Sequence, residues 1–170
     1  MTTADGIRWP DYFVPANVPV HVKNDIEIPA PVETVWAWLI RAKLWPTWYS
    51  NSANVWFRTG TGPDLEAGTR FRWKTFGVTC ESEVMEFVPK ERIAWDAHSF
   101  GVDAYHAWVL TGTPQGCHVL TEESQHGSLA ILQKVFRPNN MHRKHQIWLD
   151  SLKEKASEGL PPAVRSGAMR

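Results

Sequence analysis

Between Thr69 and Gly127 the chain breaks into five stretches of strand character, at about 69–76, 78–88, 91–100, 103–112 and 117–126, and this run constrains the fold more than any other feature. The signals between them are short: Phe76-Gly77, Pro89-Lys90, Gly101-Val102 and Pro114 to Gly116. Connections this short join antiparallel neighbours, because a parallel crossover needs a dozen residues or so. The run therefore predicts a meander. Tight pairing sets Phe71, Trp73 and Thr75 opposite Ser82, Cys80 and Val78, then Val84 opposite Trp95, and Trp95 opposite Trp108. In the last hairpin His106, Trp108 and Leu110 share a face and meet Glu123, Thr121 and Val119. An imidazole then stands beside a carboxylate on an otherwise apolar face. A slip of one residue in the last strand would replace Glu123 by Glu122, and a bulge in the strands before it would bring Asp96 and His98 inward in place of Trp95 and Ala97. The apolar choice favours Trp95.

The segments on either side must cover that face. Val20 to Ile28 alternates as a strand and stops at Pro29-Ala30-Pro31. Pro31 suits the first turn of a helix, and Val32, Val35, Trp36 and Leu39 fall on one helical face. A second short helical piece, Ala42 to Tyr49, has Pro46 at or near one end and Trp45 and Trp48 as its anchors. Ser52 to Thr59 reads as a strand. The glycine-rich loop TGTGPDLEAG at 59–68 leads into another strand and lacks a Lys-Ser/Thr ending, so it is not built to cradle a phosphate. After Gly127 a helical segment is interrupted by Pro138, and Asn139 or Asn140 can cap a fresh start. Met141, His145, Trp148, Leu152 and Ala156 then draw one apolar stripe along a long helix that Gly159 ends.

Length and charge narrow the classes. A chain of 170 residues holds one domain, 20–159, with an extended proline-marked lead-in at 1–19 that Trp9, Tyr12 and Phe13 could strap to the body, and a disordered tail at 160–170. Lys plus Arg and Asp plus Glu both total 18, and no run of like charge marks a nucleic-acid or lipid-headgroup surface. No apolar run approaches the roughly 18 residues of a membrane span. Cys80 and Cys117 sit within strands without metal or disulfide spacing, which reads as a reducing, cytoplasmic setting. Ten Trp are many for this length and suit a pocket wall as well as a core.

The element order β-α-α-β-β-β-β-β-β-α is carried by IEIPAPVETVWAWL at 26–39, DLEAGTRFRW at 64–73, the Val84 to Trp95 stretch, GCHVLTEE at 116–123 and HQIWLDSLK at 145–153. In this order the pieces resemble the SRPBCC superfamily: the helix-grip proteins that include START domains, Bet v 1-like proteins and the polyketide cyclase/dehydrase group. The resemblance covers roughly Val20 to Gly159. It implies an α+β helix-grip fold, a curved seven-stranded antiparallel sheet around a long C-terminal helix. It also implies a deep cavity between sheet and helix for a hydrophobic or aromatic, polyketide-like molecule. The fold does not fix one reaction.

Within that frame His106 and Glu123 are the acid/base candidates, because cyclisation and dehydration need one group to take a proton beside a carbonyl and another to return one. Trp48, Trp73, Trp95, Trp108, Cys80, Ser82, Thr121 and His145 are the expected ligand contacts. Asp96, His98 and Glu122 stand in second rank. Seven His residues lack HExxH or HxH spacing, so neither a metal nor any cofactor is expected, and a homodimer stays open. A carrier or sensor would use the same cavity without turnover, whereas an Hsp90-activator-like interaction module would show a filled core and an exposed apolar patch. Both ligand readings require roughly 300 Å³ of space.

Overall fold

Residues 6–163 are described by a computed structural model of the protein. Their elements are β1 (Val20–Ile28), α1 (Val32–Ile40), the four-residue α2 (Trp45–Trp48), β2 (Ser52–Phe57), β3 (Arg70–Thr75), β4 (Val78–Val88), β5 (Arg92–Ser99), β6 (Val102–Thr113), β7 (Gly116–His126), α3 (Ser128–Phe136) and α4 (Asn140–Ser157). All seven strands pair antiparallel in the order β1-β7-β6-β5-β4-β3-β2. Strands β2 to β7 thus form the meander that short turns require, while β1 adds to its far edge. The chain crosses between the two edges through α1 and α2, and α4 lies along β1 and against both helices. This is the helix-grip arrangement of a curved sheet around a long C-terminal helix.

Register follows the alternation closely. Phe71, Trp73 and Thr75 pair with Ser82, Cys80 and Val78, Val84 pairs with Trp95, and His106, Trp108 and Leu110 pair with Glu123, Thr121 and Val119. One expected pair is corrected: Trp95 lies opposite His106, and Trp108 lies opposite Ile93. The tight turn between Ser99 and Val102 is centred one residue earlier than Gly101-Val102, which moves every partner by two. A bulge does occur in β4, between Val84 and Glu86, but Trp95 and Ala97 keep the inner face. Helix α3 is an element of its own, absent from the expected order. It springs from Gly127, which has a φ of 110° and where an added Cβ would collide with the Gly101 carbonyl oxygen. Asn139 precedes α4 but makes no side-chain capping bond.

The core is aromatic. Trp148 on α4 stacks on Tyr49 at 4.3 Å between centroids and packs edge-on to Trp45 and Trp108 at 5.2 and 5.0 Å. Trp73 and Trp95 close the group at 5.7 and 6.2 Å from Trp148. Trp38, next to the predicted α1 stripe, ties the helix to the end of α4 by donating its indole N–H to the Gly159 carbonyl at 2.6 Å. The other face of the sheet has a separate cluster in which Ile7, Trp9 and Phe13 cover Ala94, Tyr105, Ala107 and Leu120. Proline-marked residues of the lead-in thus bury apolar surface. Of the expected tail, residues 164–170 lie outside the described residues.

Candidate active site

Three elements deliver one buried polar cluster. β6 carries His106, β7 carries Glu123 directly opposite, and α4 brings His145 down from its apolar stripe. The Glu123 Oε2 atom lies 3.0 Å from His145 Nε2 and 3.3 Å from His106 Nδ1, and its Oε1 accepts a hydrogen bond from the Gln125 amide. His106 Nε2 lies 2.7 Å from the Thr121 hydroxyl. The two imidazole planes are 8° apart, with centroids 4.7 Å from each other. All three side chains are nearly sealed from solvent, at 3%, 8% and 1% exposure for His106, Glu123 and His145.

Burial is the largest influence on each titrating member, and it acts in opposite senses. For Glu123 it would raise the pKa, but His106, His145 and Gln125 together outweigh it and hold the carboxyl ionised, at about 2. For His106 burial wins: the ring is pushed down to about 3, with the Glu123 charge opposing and His145 adding to the fall. A neutral His106 with its proton on Nδ1 donates to Glu123 and accepts from Thr121 on Nε2, which satisfies every atom. His145 Nδ1 has no hydrogen-bond partner. A buried carboxylate is thus held by N–H dipoles.

Beside the cluster lies a cavity of about 30 Å³. Trp73, Cys80, Trp95, His106 and Glu123 line it. The space is a tenth of what a drug-sized ligand needs, so the expectation of a deep cavity is corrected. The cause is the tryptophan surplus, because Trp45 and Trp148 fill the volume between sheet and α4. Trp108 is packed behind His106 and Trp148, while Trp48 stands apart against Trp38. Ser82 accepts the Trp73 indole N–H at 3.2 Å, and Thr121 serves His106. Asp96 and His98 bond to each other on the outer face, and Glu122 lies there too, 3.3 Å from His21 and 3.4 Å from Lys23. Sequence reasoning missed Gln125, although it follows Glu123 by two on the same strand face. It also missed Gln133, for which no signal existed without α3.

Two further observations bear on what the cavity takes. The indole N–H groups of Trp95 and Trp148, both lining residues, are buried without a partner. Such donors are costly unless an acceptor reaches them. Over the cavity, α3 contributes Gln133 to the lining and buries only Ala130, leaving Ile131, Leu132, Val135 and Phe136 exposed. The cover is lightly held. Both thiols are unreactive by environment: burial pushes Cys80 up to about 12 and Cys117 up to about 11.

Architecture and site together define a helix-grip protein with a polar cluster under its long helix. The chain belongs to the polyketide cyclase / dehydrase and lipid transport family, whose model matches residues 19–157. Among solved structures it is similar to a hypothetical protein, jhp0584, from Helicobacter pylori, with 33% identity over 92% of this chain and 99% of that one and a TM-score of 0.83. It is also similar to a START superfamily protein from Mycobacterium smegmatis, with 11% identity over 81% and 97% of the two chains and a TM-score of 0.65. The di-domain ARO/CYC StfQ from the steffimycin biosynthetic pathway matches at 15% identity and a TM-score of 0.65, over 82% of this chain and 51% of that one. Among curated proteins none matches. No helix among the described residues is long and apolar enough to cross a membrane.

Proposed function

We propose that the protein binds a small aromatic, polyketide-like molecule between the sheet and α4, and that the His106–Glu123–His145 cluster performs acid/base cyclisation or dehydration on it. The observation that carries this reading is the ionised carboxylate buried against two imidazoles at the wall of an aromatic cavity. His145, whose Nε2–H is held by the Glu123 carboxylate and whose Nδ1 has no partner, would take the proton from a carbon beside a ligand carbonyl and, as an imidazolium, return it to the departing hydroxyl, which leaves as water. The unpartnered N–H groups of Trp95 and Trp148 suit carbonyl or phenol oxygens on the same ligand.

A ring system does not fit in about 30 Å³, so binding requires an open form. Helix α3 is the element with least to lose on moving, since most of its apolar side chains are already in water. Titration of 2-naphthol against tryptophan fluorescence tests the binding step. Saturable quenching that weakens at least ten-fold in Ala104→Trp, which fills the cavity from β6, is the expected result. Quenching that is absent, or indifferent to Ala104→Trp, defeats the reading. If binding survives in Glu123→Gln while conversion of a cyclisable polyketide mimic is lost, the catalytic part stands; equal turnover in both proteins reduces the protein to a carrier.

A further inference from the structure

The same three side chains have the composition and spacing of a metal centre. We propose that His106, Glu123 and His145 bind a divalent first-row transition ion of the zinc and ferrous-iron class, with a fourth position open to the cavity. The donor set is two imidazole nitrogens and one carboxylate oxygen, one from each residue, and these atoms all lie within 4.8 Å of one another. Ligands held about 2.1 Å from one ion at angles between octahedral and tetrahedral are about 3.0–3.4 Å apart. Two of the three separations, 3.0 Å for His145 Nε2 to Glu123 Oε2 and 3.3 Å for His106 Nδ1 to the same oxygen, fall in that window. Hydrogen bonding alone explains those distances equally well, so charge and surroundings must decide.

Both point to a cation. Glu123 is buried, and its partners are two imidazoles and an amide, so no lysine or arginine among the described residues neutralises it. By contrast Glu122, the next residue back on the opposite face, has Lys23 beside it. An ion would supply the missing charge. The outer layer is also in place: with the metal on His106 Nδ1, the Nε2–H donates to Thr121 at 2.7 Å, and Gln125 holds the free Glu123 oxygen. A cavity of about 30 Å³ lined by His106 and Glu123 has room for one water as fourth ligand. Three protein ligands with a vacant position facing a pocket is the pattern of a reactive site, whereas structural sites are closed. Imidazole donors select against calcium and magnesium.

The inference uses the site of the proposed function but not its chemistry, and metal binding is read without any substrate. Chelator-treated protein is titrated with Zn²⁺ against a chromophoric indicator, then with Co²⁺ followed by visible absorption. One equivalent of Zn²⁺, and a Co²⁺ spectrum that saturates at one equivalent and is erased by Zn²⁺, are expected. Glu123→Gln and His145→Ala should each weaken binding by at least a hundred-fold, and Thr121→Val by ten- to a hundred-fold through the orientation of His106. His21→Ala, on the outer face, should leave it unchanged. Circular dichroism confirms that each variant is folded; should one of the ligand variants not fold, Thr121→Val together with the stoichiometry carries the test. Absence of saturable binding, or binding indifferent to Thr121→Val and to every folded ligand variant, overturns the proposal. That outcome leaves aromatic binding standing, just as failure of 2-naphthol to bind leaves the zinc stoichiometry standing.

Discussion

Glu122 and Glu123 are chain neighbours, both nearly buried, and each meets two basic side chains, yet they stand on opposite faces of β7. Glu122 faces out to His21 and Lys23, whose side chains are 26% and 48% exposed. Glu123 faces in to His106 and His145, exposed by 3% and 1%. Partners that reach water can rearrange when the outer carboxylate is removed. The inner partners have nowhere to turn. Histidines show the same division: His98 on the outer face is raised by its hydrogen bond to Asp103, while His106 is lowered by burial. Which face a residue occupies, more than which neighbours it has in sequence, decides whether its charge is ordinary or functional.

The strongest way to break this comparison is to open each face. Trp148→Ala should cost about 3–5 kcal/mol, since the ring is fully buried at the centre of the inner aromatic cluster. Trp9→Ala should cost less, because its cluster on the outer face is much smaller than the inner one. Urea midpoints decide, and equal losses would erase the distinction. Next, Glu123→Leu strands two imidazole N–H groups and should cost about 2–4 kcal/mol, against less than about 1 kcal/mol for Glu122→Leu.

Proton titration sharpens the contrast with a smaller effect. In metal-free protein the His98 proton resonances should titrate above the ordinary 6.5, whereas those of His106 should stay flat from neutral pH down past 5. The signs also differ for stability. The His98 contribution is present below 6.5 and lost as pH rises through its folded value, so His98→Asn should lower the melting temperature more at pH 5.5 than at pH 8. His106 behaves oppositely: the unfolded chain takes up the proton first, so its contribution is lost as pH falls from 6.5 toward about 3. The smallest effect expected is none at all. Iodoacetamide at pH 8 should leave Cys80 and Cys117 of the native protein unmodified, and rapid alkylation of Cys80 would mean that the cavity opens more freely than its packing implies.

Much of the sheet was legible because strand alternation and tight turns are local. His106 opposite Glu123 and Trp73 opposite Cys80 follow from counting away from a turn. The same counting failed at Trp95, where one residue's difference in the turn moved the partner from Trp108 to His106. Helix α3 was legible only as a helical segment after Gly127 and was left out of the element order, because its stripe is short and mostly exposed. The tryptophans announced an aromatic interior, but whether ten of them line a pocket or fill it depends on rotamers and on how closely α4 approaches.

The sequence by itself determined the order of the seven strands and the long C-terminal helix, the inward face of β6 and β7, and the apolar stripe that carries His145, all from periodicities of two and 3.6 residues. Only the tertiary structure decided that His145 reaches Glu123, that the aromatic rings leave about 30 Å³, and that three residues without any shared motif form a candidate metal site. The physical reason is separation. His145 lies 22 positions beyond Glu123, on a helix docked against the sheet, and no local rule encodes where two separately folded elements will meet.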